Sequence, residues 1–288
     1  MMLRILTFIF CSCGLLLADD VNTQGGQVEL GLVSEVRSIQ PGETFSVALN
    51  ITHAAKWHTY WKHPGIVGVP TKLTWTMPEG FEAGEIQWPP PELVPMARLT
   101  AYGYEREVYL IVDIKPPADL KRGESVILRA NGLWMACART CHPGFGEFSI
   151  TLPVAEAAAD EPDYNEEIHK HLEAERASFP EDLKGWKAEV ANVSDDKLIL
   201  TIRPTEQAQA DAKGKPRDIY FYSYDNQVDS DAKQKVAIKQ DGAIEFRLIR
   251  PDFAPEDPSE IAGLVYHPNG WPTNGGAKFA RIRAAWSE

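Results

Sequence analysis

The residues in this 288-residue chain best suited to chemistry are two cysteines four apart, in Cys137-Ala138-Arg139-Thr140-Cys141. Such a pair can close a structural disulfide, cycle between dithiol and disulfide, or bind a soft metal ion. In one straight strand, residues four apart lie about 13 Å from each other, too far for a disulfide. A three-residue loop joining two strands instead makes them a cross-strand pair, with Cα atoms about 4.5–5.5 Å apart and within bonding reach. A helical turn would also serve. As a staple the bond would do little, because closing so short a loop restrains the unfolded chain by only about 2 kcal/mol. A chain of this length does not depend on staples.

Arg139 and His142 put positive charge beside the sulfurs, which favours thiolate, the reactive form. Met135, Cys137, Cys141 and His142 also offer thioether, thiolate and imidazole donors that suit Cu(I). Structural zinc would want four ligands at clear spacings. Spacing and composition leave the redox and staple readings open, with copper as the runner-up. No cofactor or resident metal is assigned.

The start of the chain says where this chemistry would occur. Met1 to Arg4 carries one positive charge, Ile5 to Leu17 is mostly apolar, and Ala18 gives way to Asp19-Asp20. That order is a secretory signal peptide, residues 1–18, with cleavage expected after Ala18. The apolar run is shorter than the roughly 20 residues a membrane span needs. Removing the signal takes away Cys11 and Cys13, leaving two of the 4 cysteines. It also removes one of the 29 basic residues against 41 acidic ones, for a mature net charge of about −13. Such acidity argues against nucleic acid and anionic membrane surfaces as partners. No later stretch has the length of a transmembrane segment, so the mature protein is expected in the periplasm or otherwise exported, and soluble. In an oxidising compartment, two thiols close in sequence would pair.

The elements that position the cysteines read as short strands. Phe45, Val47, Leu49 and Ile51 alternate with polar residues after the Pro41-Gly42 turn, as do Val108 to Ile114, Val126 with Leu128, and Phe148 to Leu152. The pattern returns in Leu198 to Ile202, Ile219 with Phe221, Ile244 to Leu248, and Phe279 to Trp286. Between the two sets, an alanine-rich break at Ala155 to Ala159 precedes Asp163 to Ala177, which reads as one solvated helix ended by Pro180. The expected architecture is all-β, with two sandwich domains at 19–154 and 181–288 and a linker with a helix at 155–180.

Several motifs fall in a family's order. They are Trp57-His58-Thr59-Tyr60-Trp61-Lys62-His63-Pro64-Gly65, Gly68-Val69-Pro70-Thr71, Trp75, Ile86-Gln87-Trp88-Pro89, Tyr102-Gly103-Tyr104, Trp134 and the Cys137/Cys141 pair. From about Gln27 to Pro153 the chain resembles the N-terminal periplasmic domains of DsbD-like thiol-disulfide interchange proteins, especially their ScsB-like branch. Asp218 to Trp286 is similar to that branch's second β-domain. The resemblance implies immunoglobulin-like sandwiches and a redox pair at Cys137 and Cys141. It also implies a relay of electrons from a membrane-embedded donor to exported client proteins. His58 and Tyr60 match positions lining the active site, and Cys141 matches the cysteine that forms the mixed disulfide.

Leu99 to Tyr104 matches a flexible cap loop shielding the sulfurs. The chain departs from the best-known members in its closer cysteine spacing and in having Ala101 and Tyr102 where the cap carries phenylalanine. The expected cap residues are therefore Tyr102, Gly103 and Tyr104. The chain ends without the family's membrane and thioredoxin-like domains, so its donor is expected on a separate chain. A binding module with a structural disulfide is the other alternative.

Other features read more plainly. Trp57, Trp61, Trp75, Trp88 and Trp134 are expected as packing residues. His169 and His171, two apart on a helix, face different ways and are given no metal role. Asn50-Ile51-Thr52 and Asn192-Val193-Ser194 are glycosylation sequons by pattern only. No Ser/His/Asp triad or phosphate-binding glycine loop stands out. The protein isolated under air is expected to hold one intramolecular disulfide and no free thiol after signal removal; thiol labelling with mass spectrometry checks this, and two labelled thiols without reductant would contradict it.

Overall fold

The computed structural model describes residues 27–286 apart from 160, 207, 209–217 and 257. The expected signal peptide, 1–18, lies outside these residues. What is described is nearly all β, with a single α-helix. The first ten strands are β1 (Val28–Ser34), β2 (Phe45–His53), β3 (Thr59–Tyr60), β4 (Lys72–Thr76), β5 (Glu82–Ala83), β6 (Glu92–Met96), β7 (Leu99–Tyr104), β8 (Glu107–Lys115), β9 (Ser125–Cys137) and β10 (Cys141–Pro153). They form a sheet in the order β1-β2-β8-β5, a second in the order β10-β9-β4, and a small third in the order β3-β7-β6.

Alternation sends one side of each strand into the core. In β9, Val126, Leu128, Ala130, Gly132, Trp134 and Ala136 are buried, while Ile127, Arg129, Asn131 and Leu133 between them are exposed. The buried side chains meet Val47, Leu49, Ile51, Leu110 and Val112 from the opposite sheet in one core. Burying each large aliphatic side chain is worth about 1.5–3 kcal/mol.

Eight strands follow the helix α1 (Glu166–Ser178): β11 (Glu181–Asp182), β12 (Trp186–Ser194), β13 (Lys197–Pro204), β14 (Tyr220–Ser223), β15 (Lys235–Ile238), β16 (Ile244–Ile249), β17 (Glu260–Trp271) and β18 (Ala277–Ala285). They make sheets β11-β18-β17-β14 and β12-β13-β16-β15 around a second core that includes Leu200, Phe221, Phe246 and Val265. The two sets of sheets meet along an aromatic seam. Tyr102 packs against Tyr222 with ring centroids 4.9 Å apart, and His63 stacks on Tyr224 at 4.8 Å. Ser230 donates to the Thr100 carbonyl at 2.6 Å and accepts from the Ile66 amide at 3.1 Å.

The helix departs from its expected role as a solvated spacer. Leu172 is fully buried against Ala48, Tyr109 and Ile111 on the outer side of β2 and β8. The reason lies in those strands: β8 runs apolar from Val108 to Val112 and β2 turns Ala48 to the same outer side, so that both faces need cover. Glu166 and Glu167 at its N-terminus and Arg176 in its last turn suit the helix dipole. His169 and His171 do face apart: the first meets Glu35 at 2.8 Å, and the second stacks on Tyr109 at 5.1 Å.

Arg176 fixes the helix to the sandwich by a fork of two hydrogen bonds, 2.6 and 2.8 Å, to the buried Glu35 carboxylate. Burial alone would raise the Glu35 pKa, but hydrogen bonds and charge from Arg176 and His169 outweigh it and hold it below its ordinary value. A carboxyl depressed on folding adds stability at neutral pH and loses it as pH falls through the folded value. Arg176→Ala leaves that carboxylate without its guanidinium and is expected to cost on the order of 2–3 kcal/mol at neutral pH, less than a fully buried pair because Arg176 is partly exposed. Urea melts at neutral and acid pH check this, with the loss shrinking once Glu35 is protonated in both states.

Candidate redox site

The long hairpin of β9 and β10 carries the cysteines at its tip. Its antiparallel ladder runs from Pro153↔Ser125 to Cys141↔Cys137, and the loop between closes with the Ala138 amide donating to the Thr140 carbonyl at 3.2 Å. The two cysteines are a cross-strand pair, Cα atoms 4.2 Å apart, joined by a disulfide. On its other side Cys137 exchanges two backbone hydrogen bonds with His58, both 3.0 Å. The pair is asymmetric: Cys137 is wholly buried and Cys141 is exposed.

Tyr60 aims its hydroxyl at the buried sulfur. Tyr60 Oη donates to Cys137 Sγ at 2.9 Å and lies 3.8 Å from Cys141 Sγ. Burial pushes the phenol up to about 12, so it stays protonated and a donor at neutral pH. Behind it, the His58 ring stands edge-on at 5.3 Å. His58 is fully buried, with neither ring nitrogen hydrogen-bonded among the described residues. Burial, then the nearby His53, pushes it down to about 4, so it is neutral. The Gly68 backbone lies flat against the Tyr60 ring, where an added Cβ would stand 2.2 Å from a ring carbon.

The positive residues lie on the solvent side. Arg139 and His142 are both exposed. His142 turns Nε2 to Thr140 Oγ1 at 2.9 Å and packs its ring on Trp57 at 5.3 Å. Within the hairpin, the exposed Cys141 thus has Arg139 two residues before it and His142 directly after, whereas the polar side chain touching the Cys137 sulfur is a neutral phenol. Among the described residues, the grouping of three His, Cys, Asp or Glu ligand atoms close enough for one ion is Glu35, His169 and Glu173, and there the Arg176 guanidinium already bonds Glu35 and Glu173.

The cap differs from its expected form. Leu99 to Tyr104 is strand β7, paired with β3 and β6, and alternation decides which residues face the sulfurs. Tyr60, Ala101 and Val94 share one face and cluster with Cys137, with Val67, Met96 and Met135 packed around them. Tyr102 and Tyr104 point the opposite way. Tyr102 meets the seam tyrosines, and Tyr104 is buried with its hydroxyl donating to the Pro89 carbonyl at 2.7 Å. Gly103 is no hinge: it lets β7 approach β3, where an added Cβ would stand 2.1 Å from the Thr59 carbonyl oxygen. The cover over Cys137 is therefore small and aliphatic. The sequence signal for it was the Val94-x-Met96 spacing opposite Leu99-x-Ala101, which the conspicuous tyrosines obscured.

A fold of this kind, with a disulfide at a hairpin tip beneath a small sheet, defines a class. Residues 28–153 match the family model for the N-terminal region of the thiol:disulfide interchange protein DsbD. That part of the chain is similar to a DsbD N-terminal domain. Among solved structures, the chain is similar to the N-terminal periplasmic domain of ScsB from Proteus mirabilis, at 16% identity and TM-score 0.61, over 91% of this chain and 94% of that one. That likeness shows that the fold extends through the second set of sheets. Spo0M from Bacillus subtilis (11% identity, TM-score 0.24, covering 90% and 91%) and the periplasmic chaperone SfaE (8%, TM-score 0.24, covering 89% and 100%) are too distant to bear on it. No curated protein matches the sequence. Val94→Ala with Met96→Ala is expected to speed reduction of the disulfide by dithiothreitol several-fold, whereas Tyr104→Phe leaves it unchanged; stopped-flow kinetics would refute this assignment of the cover if the double variant reacts at the wild-type rate.

Proposed function

We propose that this chain is an exported thiol-disulfide oxidoreductase component, periplasmic in setting, that relays electrons through Cys137 and Cys141. The observation that carries it is the asymmetry of the pair: one sulfur open to solvent, the other buried under a phenol that can stabilise it as a leaving group. An incoming thiolate attacks Cys141 Sγ, the Cys137–Cys141 bond breaks, and the electron pair leaves on Cys137 Sγ. The Tyr60 hydroxyl, 2.9 Å away, donates to that developing thiolate. A second thiolate on the partner then attacks the mixed disulfide, releasing Cys141 and oxidising the partner. Two electrons and two protons have moved. Run in reverse on a client disulfide, Cys141 attacks and the pair is reoxidised.

His58 serves by staying neutral. A cation there would hold Cys137 permanently as thiolate, whereas a neutral wall lets it take up a proton once the partner departs. We assign the donor to a membrane-embedded protein on a separate chain and the clients to exported thiol proteins, following the family. The DsbD-like domain would occupy 19–154 and the second sandwich 181–288, with the helix between.

Two substitutions test the asymmetry. With Cys137→Ser, the remaining Cys141 is expected to form mixed disulfides readily with a small aromatic disulfide; with Cys141→Ser, Cys137 reacts far more slowly. Equal reactivity would refute the assigned roles. Tyr60→Phe removes one hydrogen bond to a charged sulfur, worth about 1.5–3 kcal/mol, so the rate of disulfide reduction should fall tenfold or more with the fold intact. Global unfolding of the Cys137→Ser/Cys141→Ser double variant at ambient temperature would favour a structural staple instead.

A further inference from the structure

The outer face of the β9–β10 hairpin is apolar for three rows beginning at the disulfide. Cys137↔Cys141, Met135↔Pro143 and Leu133↔Phe145 are successive same-face pairs in the ladder. At about 3.4 Å per residue, the strip runs about 14 Å from the disulfide. The small sheet covers its first row at Cys137. By the third row nothing among the described residues covers it: Leu133 and Phe145 are each 57% exposed. Two large apolar side chains directly opposite each other at that exposure depart from the polar residues expected on a solvent face. The next row, Asn131↔Glu147, is polar and exposed, so the apolar strip is bounded.

Charge distinguishes this face from the rest of the protein. The chain carries a net −12. Yet Lys72, which lies beside Leu133 on β4, Arg129 further along β9, and Arg139 at the loop are exposed on or next to this face, against Glu147 alone on these rows. A predominantly acidic protein thus places positive charge along the hairpin face that leads to the exposed cysteine.

We propose that this strip is the docking face for the redox partner, and that the partner presents its thiol from an apolar surface with an acidic rim. The inference rests on the exchange function proposed above and adds to it the recognition chemistry. An apolar patch next to the reacting sulfur orients the attacking thiolate towards Cys141, and the basic rim draws in acidic partners over more uniformly charged thiol proteins. Leu133 and Phe145 act in docking, and neither touches the reacting sulfurs.

The test uses two reduced synthetic peptides with one cysteine each, one with leucine, phenylalanine and glutamate around it, the other with glycine, serine and lysine. Dithiothreitol serves as a partner-free reductant. The acidic apolar peptide should open the wild-type disulfide about tenfold faster than the other at low salt. In Leu133→Ser/Phe145→Ser, that preference should collapse while the dithiothreitol rate stays at the wild-type value. Equal peptide rates in the wild type, or a preference that survives in the variant, would overturn the docking face and leave the exchange function standing. A disulfide that dithiothreitol cannot open would overturn the exchange function and the docking face together. Sedimentation of both proteins gives the remaining outcome: a wild-type dimer that becomes monomeric in the variant would assign the strip to a second copy of this chain and overturn the proposal.

Discussion

Cys137 is held by two strands at once. On one side it closes the β9–β10 ladder opposite Cys141; on the other it exchanges both of its backbone hydrogen bonds with His58. Everything particular about the site follows from this double pairing. It brings the His58–Tyr60 segment under the hairpin tip, so the Tyr60 hydroxyl reaches one sulfur in preference to the other. It also carries β3 in with its partners β7 and β6, whose shared face buries Cys137 and leaves Cys141 open. Two chemically identical residues become different through the backbone alone.

Electrostatics follow from the same burial. The enclosed sulfur sees a phenol held protonated and an imidazole held neutral, both by desolvation. Arg139 stays in water beside the other sulfur, with His142 exposed next to it. A cationic side chain and a phenol donor thus lie on opposite sides of a pair whose Cα atoms are 4.2 Å apart.

Much of this was legible in the sequence. The alternation of Phe45 to Ile51 and of Leu198 to Ile202 marks strands by its period of two, and the order of the tryptophan, histidine and cysteine motifs marks the resemblance that the family model also finds. The helix was legible as a helix, but its docking was not, because Leu172 is a single apolar residue among charged ones and its receptor is a sheet face 60 or more residues earlier in the chain. The face that covers Cys137 was not legible for a related reason. Tyr102 and Tyr104 are the residues a reader notices, yet side-chain direction in a strand depends on pairing register, and register depends on partners the local sequence does not name. Once Val94↔Ala101 and Tyr60↔Gly103 are known, the facing residues follow at once.

The tip of the β9–β10 hairpin has one more consequence, for the chain's folding history. The bond there joins residues only four apart, across a turn. It ties together no distant parts of the molecule, so its loop-closure effect stays near the low end for a disulfide, and closing it imposes none of the order in which remote strands must meet. The described residues contain no third cysteine with which either sulfur could mispair. The oxidised and reduced chains therefore share one topology, and the bond can open and close many times without the protein ever having to find its fold again.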